Sequence, residues 1–178
     1  MFYLIQFLTY FRILSAPIIF LLIVLLNFYG WAIIFFFLAS FSDYLDGYLA
    51  RKYNHSSKFG AILDPIADKI LITFLIISLT LELSSVFIGL IGGIILVREF
   101  WVSALRDFNS REGQSNLTEV TFLSKLKTTL QLLVFGGFLL GLYLNNQFIL
   151  FLCNFFLFLA LIITIKTGVS YTIATFKR

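Results

Sequence analysis

Long apolar runs broken by short polar turns make up most of the chain. The charge-free runs predict six helices, at 13–28, 31–50, 59–80, 84–105, 123–144 and 147–169. Most of these runs are close to the roughly 20 residues that a helix needs to cross a bilayer. A short helix over 1–16 is expected to lie at the membrane interface and run into the first span, because it lacks the basic start and cleavage site of a signal peptide. The pattern therefore predicts an all-α polytopic membrane helix bundle, with about six transmembrane helices and a short N-terminal interfacial helix.

Composition agrees with a membrane environment. Hydrophobic residues make up 60% of the 178 positions, charged residues make up 12%, and the mean hydropathy is +1.00. An ordinary soluble domain has about 25% charged residues, so this composition argues against that class. The length suits one bundle, and we expect a single membrane domain over 1–178. The lone Cys153 and the absence of a CxxC pair argue against disulfides and thiolate metal sites.

Basic residues collect on one side of the predicted bundle. The connections near 27–30, 80–84 and 144–147 contain no Lys or Arg. The opposite side carries Arg51, Lys52, Lys58, Arg106, Arg111, Lys125, Lys127, Lys177 and Arg178. The positive-inside rule then predicts a cytoplasmic (inner) membrane protein whose motif-bearing end and both termini face the cytosol. The basic pI does not indicate a nucleic acid partner, because these residues lie where headgroups or substrate phosphates meet the bilayer.

Four aspartates, Asp43, Asp46, Asp64 and Asp68, interrupt the apolar segments. An ionised carboxylate at the centre of a membrane helix costs about 2.5–3.5 kcal/mol, so such residues are functional by default. Helical spacings of three and four place each pair on one face, and the short loop over 51–58 makes the two helices antiparallel neighbours. The four carboxylates can therefore converge. Hard oxygen ligands suit Mg²⁺, Mn²⁺ or Ca²⁺, and two such ions would serve a displacement at phosphorus.

Small residues accompany these acids at Gly47, Ala50 and Gly60. They remove side chains from the same region, so a flat base or sugar could approach the backbone closely. Each one taken alone is equally well explained as a small-residue contact between helices.

The motif D-x₂-D-G-x₂-A-R-x₈-G-x₃-D-x₃-D covers residues 43–68. It resembles the complete signature of the CDP-alcohol phosphotransferase family, with no position missing. Less specific strings, L-T-x₂-R-I at 8–13, R-E-x₂-V-S-x-L-R at 98–106 and S-K-L-K-T-x₂-Q at 124–131, are similar to those of family members that use glycerol 3-phosphate. The chain departs from the family at Ile5 and Gln6, where a Pro-Asn pair usually stands.

The resemblance implies a mechanism and a set of residues. CDP-diacylglycerol would bind with its pyrophosphate on two divalent cations, Mg²⁺ or Mn²⁺, an acceptor hydroxyl would attack the phosphorus nearer the lipid, and CMP would leave. The implied metal ligands are Asp43, Asp46, Asp64 and Asp68, and Asp68 is also the implied general base. The implied CDP-binding residues are Gly47, Ala50, Arg51, Gly60 and Thr9. The family forms homodimers, and Gly89, Gly92, Gly93, Gly136 and Gly137 are candidate packing faces.

The expected acceptor is sn-glycerol 3-phosphate, because an anion that arrives from the cytosol needs fixed cations. The candidate phosphate-binding residues are Arg98, Arg106, Lys125 and Lys127, at the cytoplasmic ends of neighbouring predicted spans. The alternative for these four residues is anchoring at the membrane surface.

Several other readings stay open at this stage. The same core motif would serve phosphatidylglycerol, serine or an inositol phosphate as acceptor. A more remote alternative is a transporter with an intramembrane cation site, and another is a catalytically silent scaffold. A phospholipase D mechanism needs two His-x-Lys motifs and is excluded, because the chain has one His. A Ser-His-Asp hydrolase is disfavoured because that His55 lies in the predicted basic loop.

Overall fold

The computed structural model describes residues 2–53, 58–119 and 121–177, with side chains described throughout except at 2–5, 44, 46–53, 58–62, 64, 65 and 115. These ranges contain the helices α1 (Phe2–Phe20), α2 (Tyr29–Tyr53), α3 (Lys58–Glu82), α4 (Val86–Arg111), α5 (Phe122–Tyr143) and α6 (Gln147–Phe176). A π-helical segment, Leu21–Leu25, continues α1, and a 3₁₀ turn, Ser115–Thr118, lies between α4 and α5. The described residues contain no β-strand. The prediction of an all-α bundle is confirmed.

Helix α1 is unbroken where the sequence predicts an interfacial helix followed by a span. Thr9, Arg12, Ala16 and Ile19 recur at helical spacings of three and four, and all four are buried. Because this one face packs against α2 and α3 along its length, the two predicted elements form a single helix.

Three tight turns join the helices at the end of the bundle away from the aspartates. Each turn contains one non-glycine residue with positive φ, namely Asn27 at 55°, Ser84 at 45° and Asn145 at 48°. Asn reaches this left-handed region at little cost. Ser85 and Asn146 then cap α4 and α6 by accepting hydrogen bonds from backbone N–H groups of the first turn. The sequence placed all three of these connections correctly.

The helices pack in a closed ring. The main contacts run from α1 to α2, α5, α6, α4 and α3 and back to α1. Buried apolar side chains from every helix fill the interior, among them Ile19, Phe36, Leu75, Ile95, Phe138 and Leu157. The outer surfaces carry many exposed Phe, Leu and Ile residues, which water would not favour but lipid does.

Four helical segments of the described chain are long and apolar enough to cross a membrane: Gln6–Leu25, Val86–Arg111, Phe122–Tyr143 and Gln147–Phe176. A shorter apolar stretch, Tyr29–Asp43, belongs to α2. With the apolar outer surface, these segments make the chain an integral membrane protein. The prediction of about six spans exceeds the four that meet these criteria of length and composition.

Helices α4 and α6 extend beyond their predicted ends at residues 105 and 169, to Arg111 and Phe176. The prediction ended them where charged or polar residues begin. In the structure, Nδ2 of buried Asn109 donates a 2.9 Å hydrogen bond to Oγ1 of buried Thr175. The two helices therefore continue side by side past their apolar segments, because their polar residues bond to each other.

Four of the five glycines proposed as dimer-packing faces lie at contacts within the chain. A Cβ atom would come within 4 Å of Thr80 at Gly89, of Ile76 at Gly92, of Phe36 at Gly136 and of Cys153 at Gly137. Only Gly93 of these five has no heavy atom within 4 Å of its ideal Cβ position. These four glycines therefore let helices of one chain approach closely, and their use as faces for a second copy stays a prediction.

Adjacent glycines of α4 offer a matched test of this packing. A Cβ atom at Gly92 would lie 2.9 Å from Cγ1 of the buried, β-branched Ile76, and closer still to its Cγ2. Overpacking costs roughly 1–3 kcal/mol, whereas Gly→Ala in an uncrowded helix position gains up to about 1 kcal/mol. We expect Gly92→Ala to lower the thermal unfolding midpoint in detergent, followed by circular dichroism, and Gly93→Ala to leave it equal or higher. Equal midpoints for the two variants would contradict this packing.

Candidate active site

A buried guanidinium joins two of the four predicted metal ligands. Arg12 of α1 has no exposed surface, and its Nη1 lies 2.9 Å from Oδ1 of Asp43 on α2 and 2.7 Å from Oδ1 of Asp68 on α3. The two carboxylates are half-exposed, at 52% and 48%. They would repel each other at this separation, and the positive charge between them offsets that repulsion. The predicted meeting of these two carboxylates is therefore present. The prediction that α2 and α3 are direct neighbours is wrong for the described residues, because α1 packs against both helices and lies between them in the ring.

The other two aspartates lie on the same helices. Asp46 follows Asp43 by three residues in α2, and Asp64 precedes Asp68 by four in α3, but their side chains lie outside the described residues. The described residues contain no cluster of three or more His, Cys, Asp or Glu side chains. Hard carboxylate oxygens of Asp43 and Asp68 fit a divalent cation such as Mg²⁺ or Mn²⁺. These two residues could therefore supply part of a metal site.

The predicted CDP contacts are only partly described. Gly47, Ala50 and Arg51 belong to α2, and Gly60 belongs to α3. The structure does not describe the side-chain surroundings of these four residues. Thr9, the fifth, is buried on α1 one turn before Arg12. It therefore lies on the helix face that approaches the carboxylates.

A cavity of about 660 Å³ opens beside the two carboxylates, inside the ring of helices. Its polar lining consists of Arg12, Ser40, Asp43, Asp68, Lys69, Arg98, Glu99, Ser103, Arg106, Ser124, Lys125, Lys127, Thr128 and Gln131. Its apolar lining includes Phe36, Leu75 and Phe135. All four residues predicted to bind the acceptor phosphate thus share one cavity with Asp43 and Asp68.

Two of those four cations are held by one carboxylate. Arg98 is 9% exposed, and its Nη1 donates to Oε1 of Glu99 at 3.2 Å while its Nη2 donates to Oγ1 of Thr167 at 2.6 Å. Nζ of buried Lys127 donates to the same Glu99 oxygen. Gly168 makes room for this arrangement, because a Cβ there would lie 3.0 Å from Cγ of Arg98. Glu99 therefore compensates much of the charge of Arg98 and Lys127.

The other two cations are exposed to the cavity with less compensation. Among the described residues, neither Arg106 nor Lys125 forms an ion pair with a carboxylate. Arg106 instead has its guanidinium carbon 5.8 Å from the ring centroid of Tyr171. Nζ of Lys69, which also lines the cavity, lies 5.1 Å from the ring centroid of Phe100. An anion that enters the cavity would meet Arg106, Lys125 and Lys69 as cations without an ion pair among the described residues.

Three residues of this site are missing from the predicted set. Arg12 had a sequence signal, since it is the only charged residue before Asp43. The sequence signal for Glu99 was weaker, since it is only the neighbour of Arg98 in the string at 98–106. Tyr171 had none, because it lies in an apolar helix far along the chain from every motif.

Comparison with known proteins identifies the family of the chain. The sequence model described as CDP-alcohol phosphatidyltransferase matches residues 2–166. A protein of Wigglesworthia glossinidia brevipalpis named CDP-diacylglycerol–glycerol-3-phosphate 3-phosphatidyltransferase is 39% identical over 129 residues, which is 71% of this chain and 70% of that protein. Proteins of the same name from Haemophilus influenzae and Escherichia coli K12 are each 35% identical, over 136 and 135 residues. These matches cover 76% and 74% of this chain and 72% and 74% of those relatives.

The matched residues, 2–166, include the motif at 43–68, Arg12, and every polar residue that lines the cavity. The family resemblance inferred from the motif is thereby confirmed. The chain belongs to the CDP-alcohol phosphatidyltransferase family.

Proposed function

We propose that the chain transfers a phosphatidyl group from CDP-diacylglycerol to sn-glycerol 3-phosphate, giving phosphatidylglycerol phosphate and CMP. One observation carries the proposal: a single cavity is lined both by the carboxylates of Asp43 and Asp68 and by cations such as Arg106 and Lys125, which form no ion pair among the described residues. The names of the relatives support the same donor and acceptor.

The carboxylates of the cavity suit the donor. Asp43 and Asp68, together with Asp46 and Asp64 of the family signature, would hold two divalent cations, Mg²⁺ or Mn²⁺. When bound, these ions would neutralise the pyrophosphate and stabilise the charge that develops on it. Arg12 keeps Asp43 and Asp68 in place between α2 and α3. Thr9, Gly47, Ala50, Arg51 and Gly60 would contact the cytidine diphosphate, as the family resemblance implies.

Asp68 is the proposed general base. Arg12 holds its Oδ1, which orients the carboxylate toward the cavity that both residues line. The acceptor oxygen would form a bond to the phosphorus nearer the lipid, the bond from that phosphorus to the CMP oxygen would break, and the hydroxyl proton would pass to Asp68. A carboxylate is a weak base for an alcohol, so positioning and charge stabilisation must supply most of the rate.

The cations of the cavity suit a phosphorylated acceptor. Arg106 and Lys125 would bind the phosphate of glycerol 3-phosphate, and Arg98 and Lys127, held by Glu99, would complete the wall behind it. Serine lacks the phosphate that two such cations would bind. A cation transporter would gain nothing from these positive charges beside its carboxylates.

The charges at the end of the bundle that contains the active site also support a location in the cytoplasmic membrane. We place the chain in the cytoplasmic (inner) membrane, with the active site and both termini facing the cytosol, because the basic residues collect at this end. Membrane lipid would then surround the outer helix faces. A homodimer, implied by the family resemblance, remains part of the proposal.

The reaction and its acceptor can be tested together by CMP release. Purified protein in liposomes receives CDP-diacylglycerol, Mg²⁺ or Mn²⁺, and either glycerol 3-phosphate, serine, inositol phosphate or phosphatidylglycerol. We expect CMP release when glycerol 3-phosphate is the acceptor, and no release with the other three acceptors. Release with a different acceptor would change the substrate and keep the donor chemistry, whereas no metal-dependent release with any acceptor would overturn the proposal.

Substitution of the proposed base tests its role in the chemical step. Asp68→Asn keeps the size of the side chain and an oxygen that can accept from Arg12, but it cannot take up a proton. General base catalysis contributes roughly 100- to 10,000-fold, so we expect CMP release to fall by at least about 100-fold. A variant that folds normally and keeps a wild-type rate would remove Asp68 from catalysis.

Two arginines of α4 offer a matched test of the acceptor pocket. Arg106 lines the cavity, whereas exposed Arg111 pairs with Asp107 at 2.8 Å outside it. A charge-assisted hydrogen bond contributes about 1.5–3 kcal/mol, so Arg106→Gln should raise the KM for glycerol 3-phosphate roughly tenfold to hundredfold. Arg111→Gln should leave it unchanged, and both should leave the KM for CDP-diacylglycerol unchanged. Equal KM values for Arg106→Gln and wild type would exclude Arg106 from phosphate binding.

A further inference from the structure

Tyr171 connects α6 to the start of α5. Its side chain is buried, and its hydroxyl donates a 2.9 Å hydrogen bond to the backbone carbonyl of Glu119. The same hydroxyl lies 2.7 Å from Oγ of buried Ser124 and accepts a hydrogen bond from the backbone N–H of Thr121 at 3.3 Å. Thr121 is also the N-cap of α5. One hydroxyl thus fixes the segment from which Lys125 and Lys127 project.

The ring of Tyr171 lies beside Arg98 and Arg106, the two candidate phosphate-binding residues of α4. The guanidinium carbons of Arg98 and Arg106 lie 6.0 Å and 5.8 Å from its centroid. Such distances allow an attraction between each cation and the ring, and this attraction is stronger away from water. Tyr171 therefore has its ring beside Arg98 and Arg106 of α4 while its hydroxyl holds the first turn of α5.

Contacts of α6 with α4 that do not involve Tyr171 keep the two helices together. Nε1 of Trp101 donates to Oγ1 of Thr172 at 2.9 Å, and Asn109 bonds to Thr175 one turn after Tyr171. The hydroxyl of Tyr171 is therefore not needed to dock α6. Its partners lie instead in the segment that precedes and starts α5, so its loss should affect that segment first.

We propose that Tyr171 is a positioning residue that determines affinity for the acceptor, by fixing the start of α5 against Arg98 and Arg106. This inference rests on the proposed function, because it assigns the four cations to the acceptor phosphate. A phosphate bound by charges from two helices requires a fixed distance between those helices, and a small displacement weakens several hydrogen bonds together. Tyr171 spans that distance with one rigid side chain.

Removing the hydroxyl alone tests the proposal. Tyr171→Phe keeps the ring beside Arg98 and Arg106 and loses the contacts of the hydroxyl to Glu119, Thr121, Ser124 and the Arg106 side chain. We expect the KM for glycerol 3-phosphate to rise about three- to tenfold, as for a lost set of neutral hydrogen bonds, with the KM for CDP-diacylglycerol near the wild-type value. Tyr171→Leu, which also removes the ring, should raise the acceptor KM further.

Thr172→Val is the matched control, since it removes a hydrogen bond between α4 and α6 at the neighbouring position without touching the cavity wall. It should leave both KM values unchanged. An acceptor KM in Tyr171→Phe equal to that of the wild type would overturn the inference. So would an equal loss of affinity for both substrates together with a lowered thermal midpoint, which is the result expected of a merely structural residue.

The wild-type assay separates failure of this inference from failure of the proposed function. If the wild type uses glycerol 3-phosphate but Tyr171→Phe has an unchanged acceptor KM, only the inference fails. If the wild type uses inositol phosphate instead, the proposed acceptor is wrong, and the same comparison of KM values with inositol phosphate supports or overturns the role of Tyr171. If the wild type releases no CMP with any of the four acceptors, both the proposed function and this inference are overturned.

Discussion

The guanidinium of Arg12 lies between carboxylates from two other helices, and the geometry of the site depends on this contact. Asp43 and Asp68 each place one oxygen within 3 Å of the same nitrogen. Either acid alone in a membrane helix would cost about 2.5–3.5 kcal/mol, and together they would also repel. Arg12 offsets both effects and joins α1, α2 and α3 at one point. The three helices can therefore hold acidic residues at the edge of an apolar core without separating.

The cavity beside this contact addresses a difficulty of the proposed reaction, in which two anionic groups must come within bonding distance. Each anion needs its own compensating charge, because their repulsion grows as water is excluded. The cavity is lined both by carboxylates suited to divalent cations and by the cations Arg106 and Lys125. Glu99 lies in the same wall and pairs with Arg98 and Lys127. The wall thus contains cations at fixed positions without the full repulsion of four unpaired charges.

Local patterns in the sequence predicted the helices, the three tight turns and the meeting of Asp43 with Asp68. They succeeded because helical spacing fixes which residues share a face, but α2 and α3 meet through Arg12 of α1 and not as the direct neighbours that the short connection predicted. The ends of α4 and α6 were missed because their last turns are stabilised by a contact between helices, Asn109 with Thr175, and not by hydropathy. Tyr171 was missed for a similar reason, since its partners at 119–124 lie about 50 residues away in the chain. The side chains of Asp46 and Asp64 lie outside the described residues, so their place beside Asp43 and Asp68 stays a prediction.

The central proposal is that Asp43 and Asp68, held by Arg12, form part of a site for divalent cations. The most direct test is Mn²⁺ binding to the purified protein, measured by electron paramagnetic resonance without any substrate, so that the result does not depend on turnover. We predict that Asp43→Asn and Asp68→Asn each weaken binding at least about tenfold, as loss of a charged oxygen ligand should. Arg111→Gln, which changes a charge outside the cavity, should bind Mn²⁺ as the wild type does. Wild-type Mn²⁺ affinity in both aspartate variants would contradict the account.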